Sequence, residues 1–212
     1  MTVGSVRILL ASDSPRRRAL LPLLGLPADF VVPTIDERLL PGEQPEDAVR
    51  RLAAAKASTA AQLSARLVAL GADTVVVCQE RVLGKPEHAD DARFTLRSLR
   101  GRTHRVLTAV ATLSSGLRLS GLVETQVKLR SYSDSEIEAY VRSDRPLDKA
   151  GSYAIQDSDF HPVERITGCY LNVVGLPLCE VARQLARLGM LPAETFLPPC
   201  RLCAAGRELL GA

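Results

Sequence analysis

The chain has 212 residues, of which 46% are hydrophobic, 24% charged and 4% aromatic, with a formal net charge of +3. That length suffices for one well-buried core, while the small charge and the lack of aromatic-studded basic tracts argue against a nucleic-acid partner. No apolar run nears the roughly 20 residues of a membrane-spanning helix, which argues against a membrane partner.

The apolar run after Arg7 is broken within a few residues by Asp13, Pro15 and three arginines, so a secretory signal is not expected and the cytoplasm is. Cys78, Cys169, Cys179, Cys200 and Cys203 are odd in number and irregularly spaced, so no disulfide framework is expected. Cys200 and Cys203 form a lone CRLC, short of the four or so ligands that zinc requires.

In chain order, VRILLAS reads as a short buried strand from Val6 to Ala11. A helix follows through PRRRALLPLLG, with Pro15 in its first turn, Asp13 or Ser14 as cap and a stop at Gly25. DFVVPT is a second strand, and the polar IDERLLPGEQP is a loop. Pro45 opens a long helix whose first turn carries Glu46 and Asp47, matching the helix dipole.

The β-branched run Thr74–Val77 marks a central strand, and RVLGKP a turn. EHADDARFTLRSLRG is a capped helix. Two antiparallel strands then meet around Ser115 and Gly116. Ser133 and Glu136 form a capping box for SDSEIEAYVRSD. KAGSYAIQ and VERITGCYLNVVGLP read as further strand, and LPLCEVARQLARLG as a closing helix. Strands alternate with helices early and pair locally later, which predicts an α/β (mixed α+β) fold.

Three polar clusters fall at predicted strand ends, where open α/β sheets bind ligands. Ser12, Ser14 and Arg16–Arg18 combine hydroxyls, a helix start and guanidinium forks suited to phosphate. Asp73 stands before a valine-rich strand, where desolvation raises the basicity of a carboxylate. With Asp36 and Glu37 it could hold a divalent cation through hard oxygen ligands. Lys56 is the only charge in a run of small residues, and Lys85 follows Gly84.

The third cluster, DKAGSYAIQD, brings Asp148, Lys149, Gln156 and Asp157. VLGKP lacks the remaining residues of a Walker A loop, and no G-x-G-x-x-G follows the first strand. His88, His104 and His161 do not cluster, and no G-x-S-x-G elbow is present.

Taken together and in order, LLASDSPRRRALL, IDE, RLAAAKA, GADTVVV, LGKP, LRGRTHRVLTAVA, DKAGSYAIQ and VERITGCYLNVVGLPL resemble the Maf family of nucleoside triphosphate pyrophosphatases. The resemblance spans residues 1–190 as one domain and leaves 191–212 as a tail carrying the cysteine pair. It implies a fold related to inosine triphosphate pyrophosphatases, with a central mixed sheet, flanking helices and two lobes around a cleft. It also implies cleavage between the α and β phosphates, a divalent metal (Mg²⁺ or Mn²⁺) and a homodimer.

The family's proton acceptor falls on Asp73, and its specificity positions on Arg16, Thr74 and Gln156. The other cleft positions fall on Ser12, Arg17, Glu37, Lys56, Lys85, Arg102 and Thr103, with Glu37 and Asp73 adjoining the metal. The Arg/Thr/Gln set is similar to the branch acting on dTTP and UTP. After Gln156 the chain departs from the family's glycine-rich stretch and reads DSDFHPVE, which places Asp157 and Asp159 near the expected mouth. Two other readings stay open: a house-cleaning pyrophosphatase for modified nucleotides, and a non-catalytic nucleotide-binding regulator of division.

Overall fold

A computed structural model describes residues 7–64 and 67–191. The expected tail and its cysteine pair, Cys200 and Cys203, lie outside the described residues.

Among the described residues seven strands form one mixed sheet: β1 (Ile8–Ala11), β2 (Ala28–Val31), β3 (Val68–Cys78), β4 (Arg81–Leu83), β5 (Thr103–Ser114), β6 (Leu117–Leu129) and β7 (Val163–Thr167). The order is β2-β1-β3-β5-β6-β7, with β4 paired to β3. β1 runs parallel to β2 and β3, and every other pairing is antiparallel. Among the described residues six α-helices flank it: α1 (Pro15–Leu20), α2 (Pro45–Leu63), α3 (Ala89–Leu99), α4 (Asp134–Val141), α5 (Tyr170–Val174) and α6 (Leu178–Arg187). No helix among the described residues is long and apolar enough to cross a membrane.

β3 organises the molecule. Along one edge β5 pairs with it from Ala69 to Val77. On the other edge β1 covers Val68–Gly71 and β4 covers Val76–Cys78. Among the described residues, Ala72 to Val75 therefore have no strand partner on that side, and the sheet is split there. Side chains alternate across a strand. Val75 and Val77 pack with Val49, Ala53 and Ala57 of α2, while Leu70 and Ala72 pack on the opposite face with Leu20, Leu171 and Leu185.

α2 begins at Pro45, carries Glu46 and Asp47 in its first turn, and buries Val49, Leu52, Ala53, Ala57 and Ala60 at helical spacing. Its small residues let it lie almost on the strand. A Cβ at Gly71 would stand 2.2 Å from the Ala53 carbonyl oxygen and 2.4 Å from the Ala57 nitrogen, so only glycine fits. This close approach brings Lys56 down onto β3.

Several expectations are borne out in detail. Ser14 caps α1 with Pro15 behind it, and Gly25 ends that segment at φ 71°. Ser133 and Glu136 complete the capping box of α4. Ser115 and Gly116, both at positive φ, turn the β5–β6 hairpin.

Others are corrected. RVLGKP is not all turn: Arg81–Leu83 forms β4, and Gln79 and Glu80 make the hairpin turn at φ 50° and 61°. KAGSYAIQ is not a strand, because Gly151 and Ser152 take φ 74° and 60° and wind a 3-10 turn over Ala150–Ser152. VERITGCYLNVVGLP is strand only to Thr167. It then winds into α5 between Gly168 and Gly175, at φ 127° and 119°. Cys78 and Cys169 form no disulfide, but Cys179 is disulfide-bonded, where no disulfide framework was expected.

Candidate active site

The split in the sheet opens into a cavity of about 570 Å³. Ser12, Arg16 and Arg17 line it from the end of β1 and from α1; Glu37 comes from the following loop and Lys56 from α2. Asp73 and Thr74 form its floor, and Lys85 and Gln156 its far side. Arg102 and Thr103 are exposed at the start of β5 and do not line it, so the structure does not bring those two expected residues to the cleft.

Asp73 is the centre of its floor. It sits in the middle of β3 rather than before it, because the polar GAD stretch is carried inside the strand by the glycine contact with α2. The Lys56 Nζ lies 2.6 Å from Asp73 Oδ1 and 2.9 Å from Glu37 Oε1. Lys56 and Asp73 are buried at 5% and 6% exposure, whereas the Glu37 side chain is 56% exposed. A lysine buried in this way must be paired. Asp73 Oδ2 accepts no hydrogen bond among the described residues and is the oxygen left for chemistry.

Asp36 does not join the pair. It is turned outward against Arg38, whose hydrogen bonds hold its carboxyl down at about 2. The described residues contain no group of three or more acidic, histidine or cysteine side chains suited to a metal.

The three arginines take three directions, as successive helical residues must. Arg16 reaches Asp148 at 3.1 Å across the mouth. Arg18 donates from Nε to the Ser12 carbonyl at 3.0 Å and lies over the Phe30 ring.

Arg17 points inward and is half-buried. It donates to the carbonyls of Gly175 at 2.7 Å and Ala72 at 2.9 Å, and to the Thr74 hydroxyl at 2.9 Å. Burial pulls its pKa below the ordinary arginine value, with Arg16 adding to the fall and Asp73 and Glu37 opposing it. The guanidinium thus fills the unpaired stretch of β3, satisfying a main-chain carbonyl where a neighbouring strand would.

The expectation of an anion cradle at the helix start is also modified. α1 has six residues, and Ser14 Oγ takes the Arg17 N–H at 3.4 Å. The cationic side chains therefore have to do the work.

Opposite α1, Asp148 pairs with Lys149 as well as Arg16. Partial burial raises the Asp148 pKa, but the hydrogen bonds and charges of Lys149 and Arg16 outweigh this and hold it low. Lys85 and Gln156 make no ion pair or side-chain hydrogen bond among the described residues and stand free at the cavity wall.

Asp157 and Asp159 are not at the mouth. Asp157 is 8% exposed, accepts the N–H groups of Asp159 and Phe160, and pairs with Arg145, which also holds Asp159. In place of the expected glycines, a carboxylate caps the turn from within.

Two contributors were not singled out from the sequence. Tyr153 lines the cavity and its hydroxyl bonds His104 Nε2 at 2.7 Å. Thr108, beside Thr74 in the β3–β5 ladder, is fully buried. Its signal was a hydroxyl, one of two with Thr112, in the otherwise apolar run VLTAVATL.

Burial pushes the His104 pKa down to about 4, so the folded state excludes its proton. The unfolded chain binds that proton below about 6.5, so stability is full above that pH and falls as pH drops towards 4. The loss expected at the lower limit is about 3 kcal/mol. Denaturant melts of the native chain and His104→Gln between these pH values check it, the variant showing a flatter profile.

A buried carboxylate–lysine pair, a polar cleft and a mixed sheet split at one strand place the protein among small-molecule enzymes rather than binding scaffolds. Residues 7–188 match the Maf family, described as Maf-like protein, and the chain belongs to it. Among its relatives, a dTTP/UTP pyrophosphatase of Thermomicrobium roseum is 47% identical over 92% of both chains. One of Geotalea uraniireducens is 45% identical over 89% of this chain and 98% of its own. A third, from Anaeromyxobacter dehalogenans, is 49% identical over 89% of this chain and 97% of its own.

Proposed function

We propose that this chain is a nucleoside triphosphate pyrophosphatase acting on dTTP and UTP, releasing the nucleoside monophosphate and pyrophosphate. The observation that carries the reading is the Asp73 carboxylate, anchored by Lys56 on the cleft floor with its second oxygen unspent. The names of the relatives supply the substrate class.

In this reading Arg16, Lys85 and Ser12 receive the triphosphate, and Arg17 holds the wall behind them. Asp73 Oδ2 takes a proton from a water whose oxygen bonds to the α-phosphorus as the bond to the bridging oxygen breaks. The electron pair leaves on pyrophosphate, so no covalent nucleophile is needed. Rate enhancement comes from positioning and charge stabilisation.

A divalent cation, Mg²⁺ or Mn²⁺, is part of the proposal. Two carboxylates, Glu37 and Asp73, fit a hard cation that usually completes its shell with substrate phosphates and water. When bound, it would neutralise charge developing on the leaving phosphates. Glu37, exposed and among the described residues held only by Lys56, can turn towards it.

A homodimer in the cytoplasm is proposed on the resemblance, and light scattering of the purified protein reads the first. The activity is tested by incubating purified protein with a triphosphate panel and magnesium and measuring pyrophosphate and orthophosphate separately. Pyrophosphate and monophosphate from dTTP and UTP are expected. A preference for methylated bases would make it a house-cleaning enzyme, and binding without turnover a regulator.

A further inference from the structure

The Thr74 hydroxyl stands on the cavity floor, yet it is not free to present whichever polarity a ligand requires. A hydroxyl has one proton to give and two lone pairs. Arg17, which has no acceptor, donates to Thr74 Oγ1 at 2.9 Å and occupies one lone pair. Thr108 Oγ1 lies 2.9 Å away, with the Gly175 carbonyl at a longer 3.5 Å.

Thr108 is fully buried and has its own acceptor, the Asn172 carbonyl, at 3.2 Å. With its proton given to that carbonyl, Thr108 accepts from Thr74, one of the two directions that the 2.9 Å contact allows. The protons then run one way: from Arg17 to Thr74, from Thr74 to Thr108, and from Thr108 to the Asn172 carbonyl. The reverse direction would fill both Thr74 lone pairs, from Arg17 and Thr108, and take the Thr108 donor away from the Asn172 carbonyl. In the first direction the Thr74 proton is spent inward and one lone pair is left for the cavity.

We propose that Thr108 is a positioning residue for base selection: it draws the Thr74 proton inward and leaves only a lone pair facing the nucleobase. A site of that polarity accepts the N3–H of uracil or thymine. It has nothing to offer the bare N3 of cytosine, which needs a donor. Gln156, with its amide free at the cavity wall, can meet the neighbouring exocyclic oxygens. The inference rests on the proposed pyrimidine triphosphate substrate and names the atom by which that class is chosen. Arg17 belongs to the same device, because its fixed donors make Thr74 an acceptor from the other side.

The test compares UTP with CTP in Thr108→Val, which keeps shape and loses the hydroxyl, and in Thr108→Ser, which restores it. Both kcat/KM and the Kd for α,β-methylene analogues are measured. In Thr108→Val the Thr74 proton keeps no acceptor among the described residues except the Gly175 carbonyl at 3.5 Å, the limit of a hydrogen bond, so it can turn to the cavity. The UTP-to-CTP ratio is expected to fall about tenfold, carried mainly by KM and Kd, with Thr108→Ser close to the native ratio. An unchanged ratio in folded Thr108→Val overturns the proposal, as does a ratio that Thr108→Ser fails to restore.

Should the valine variant not fold, the native protein is tested with 3-deaza-UTP, in which C–H replaces N3–H. Binding about tenfold weaker than UTP supports the proposal, and equal binding overturns it. Absence of pyrophosphate release from every triphosphate refutes the hydrolase reading instead, and the Kd ratio still reports on Thr108.

Discussion

Asp73→Asn is expected to cut hydrolysis of UTP by at least about a hundredfold while nucleotide binding is retained or tightened. The carboxylate is the group on the cleft floor able to take a proton from water, and an amide cannot. Asparagine still offers an oxygen to Lys56 Nζ, now 2.6 Å from Asp73 Oδ1, and Glu37 remains 2.9 Å away, so the lysine is not abandoned. The fold should therefore survive, at a cost of about 1–3 kcal/mol for the weakened buried pair. Removing a negative charge beside an anionic substrate lowers repulsion, which is why affinity should not fall. Single-turnover pyrophosphate release and calorimetric titration with a methylene analogue read the two effects separately. Turnover within about threefold of the native chain would remove Asp73 from the proton-accepting role.

Arg17→Ala should be the more damaging change to the fold. The guanidinium donates to Gly175 O, Ala72 O and Thr74 Oγ1, joining α1, the unpaired stretch of β3 and the turn after α5. Bonds from a charged donor contribute about 1.5–3 kcal/mol each, and water entering from the cleft would replace part of them. A net loss of about 3–5 kcal/mol follows, or roughly 6–20 °C in Tm for a chain of this size. Arg17→Lys should recover only part, since an ammonium lacks the planar fork that spans three acceptors. Thermal melts check this, and a shift under about 2 °C for Arg17→Ala would show that the arginine is a ligand residue and not a structural one.

This division among the arginines also marks how far the sequence could be read. ASDSPRRR signals a capped helix with phosphate-binding character, and the cap and helix are where expected. Which arginine faces inward depends on the helix's rotation against β3, a tertiary quantity that three identical neighbours do not encode. The long α2, the β5–β6 hairpin and the α4 capping box were legible because each has a local cause in periodicity, turn chemistry or capping.

KAGSYAIQ and the second half of VERITGCYLNVVGLP were misread because their β-branched and aromatic residues suggest strand. There glycines at positive φ and the burial of Gly151, Tyr170 and Val174 decide otherwise. Ser12, Arg16, Glu37, Lys56, Asp73, Thr74, Lys85 and Gln156 line one cavity. Thr108 stayed hidden because a buried threonine in an apolar strand looks like packing until its partners are known.

Asp73 and Thr74 are adjacent on β3 and point to opposite sides of the sheet, one towards Lys56 and the other towards Thr108. A slip of one residue between β3 and α2 would exchange them, handing the base pocket a carboxylate and the lysine a hydroxyl. Gly71 forbids that error. The α2 backbone leaves no room for a Cβ there, 2.2 Å from the Ala53 carbonyl, and a slipped strand would bring Leu70 or Ala72 to the same point. The glycine is an alignment key: helix and strand can close only in the setting that keeps the carboxylate against Lys56 and the hydroxyl against Thr108. The side that each of the two groups faces is thus fixed as helix and strand close.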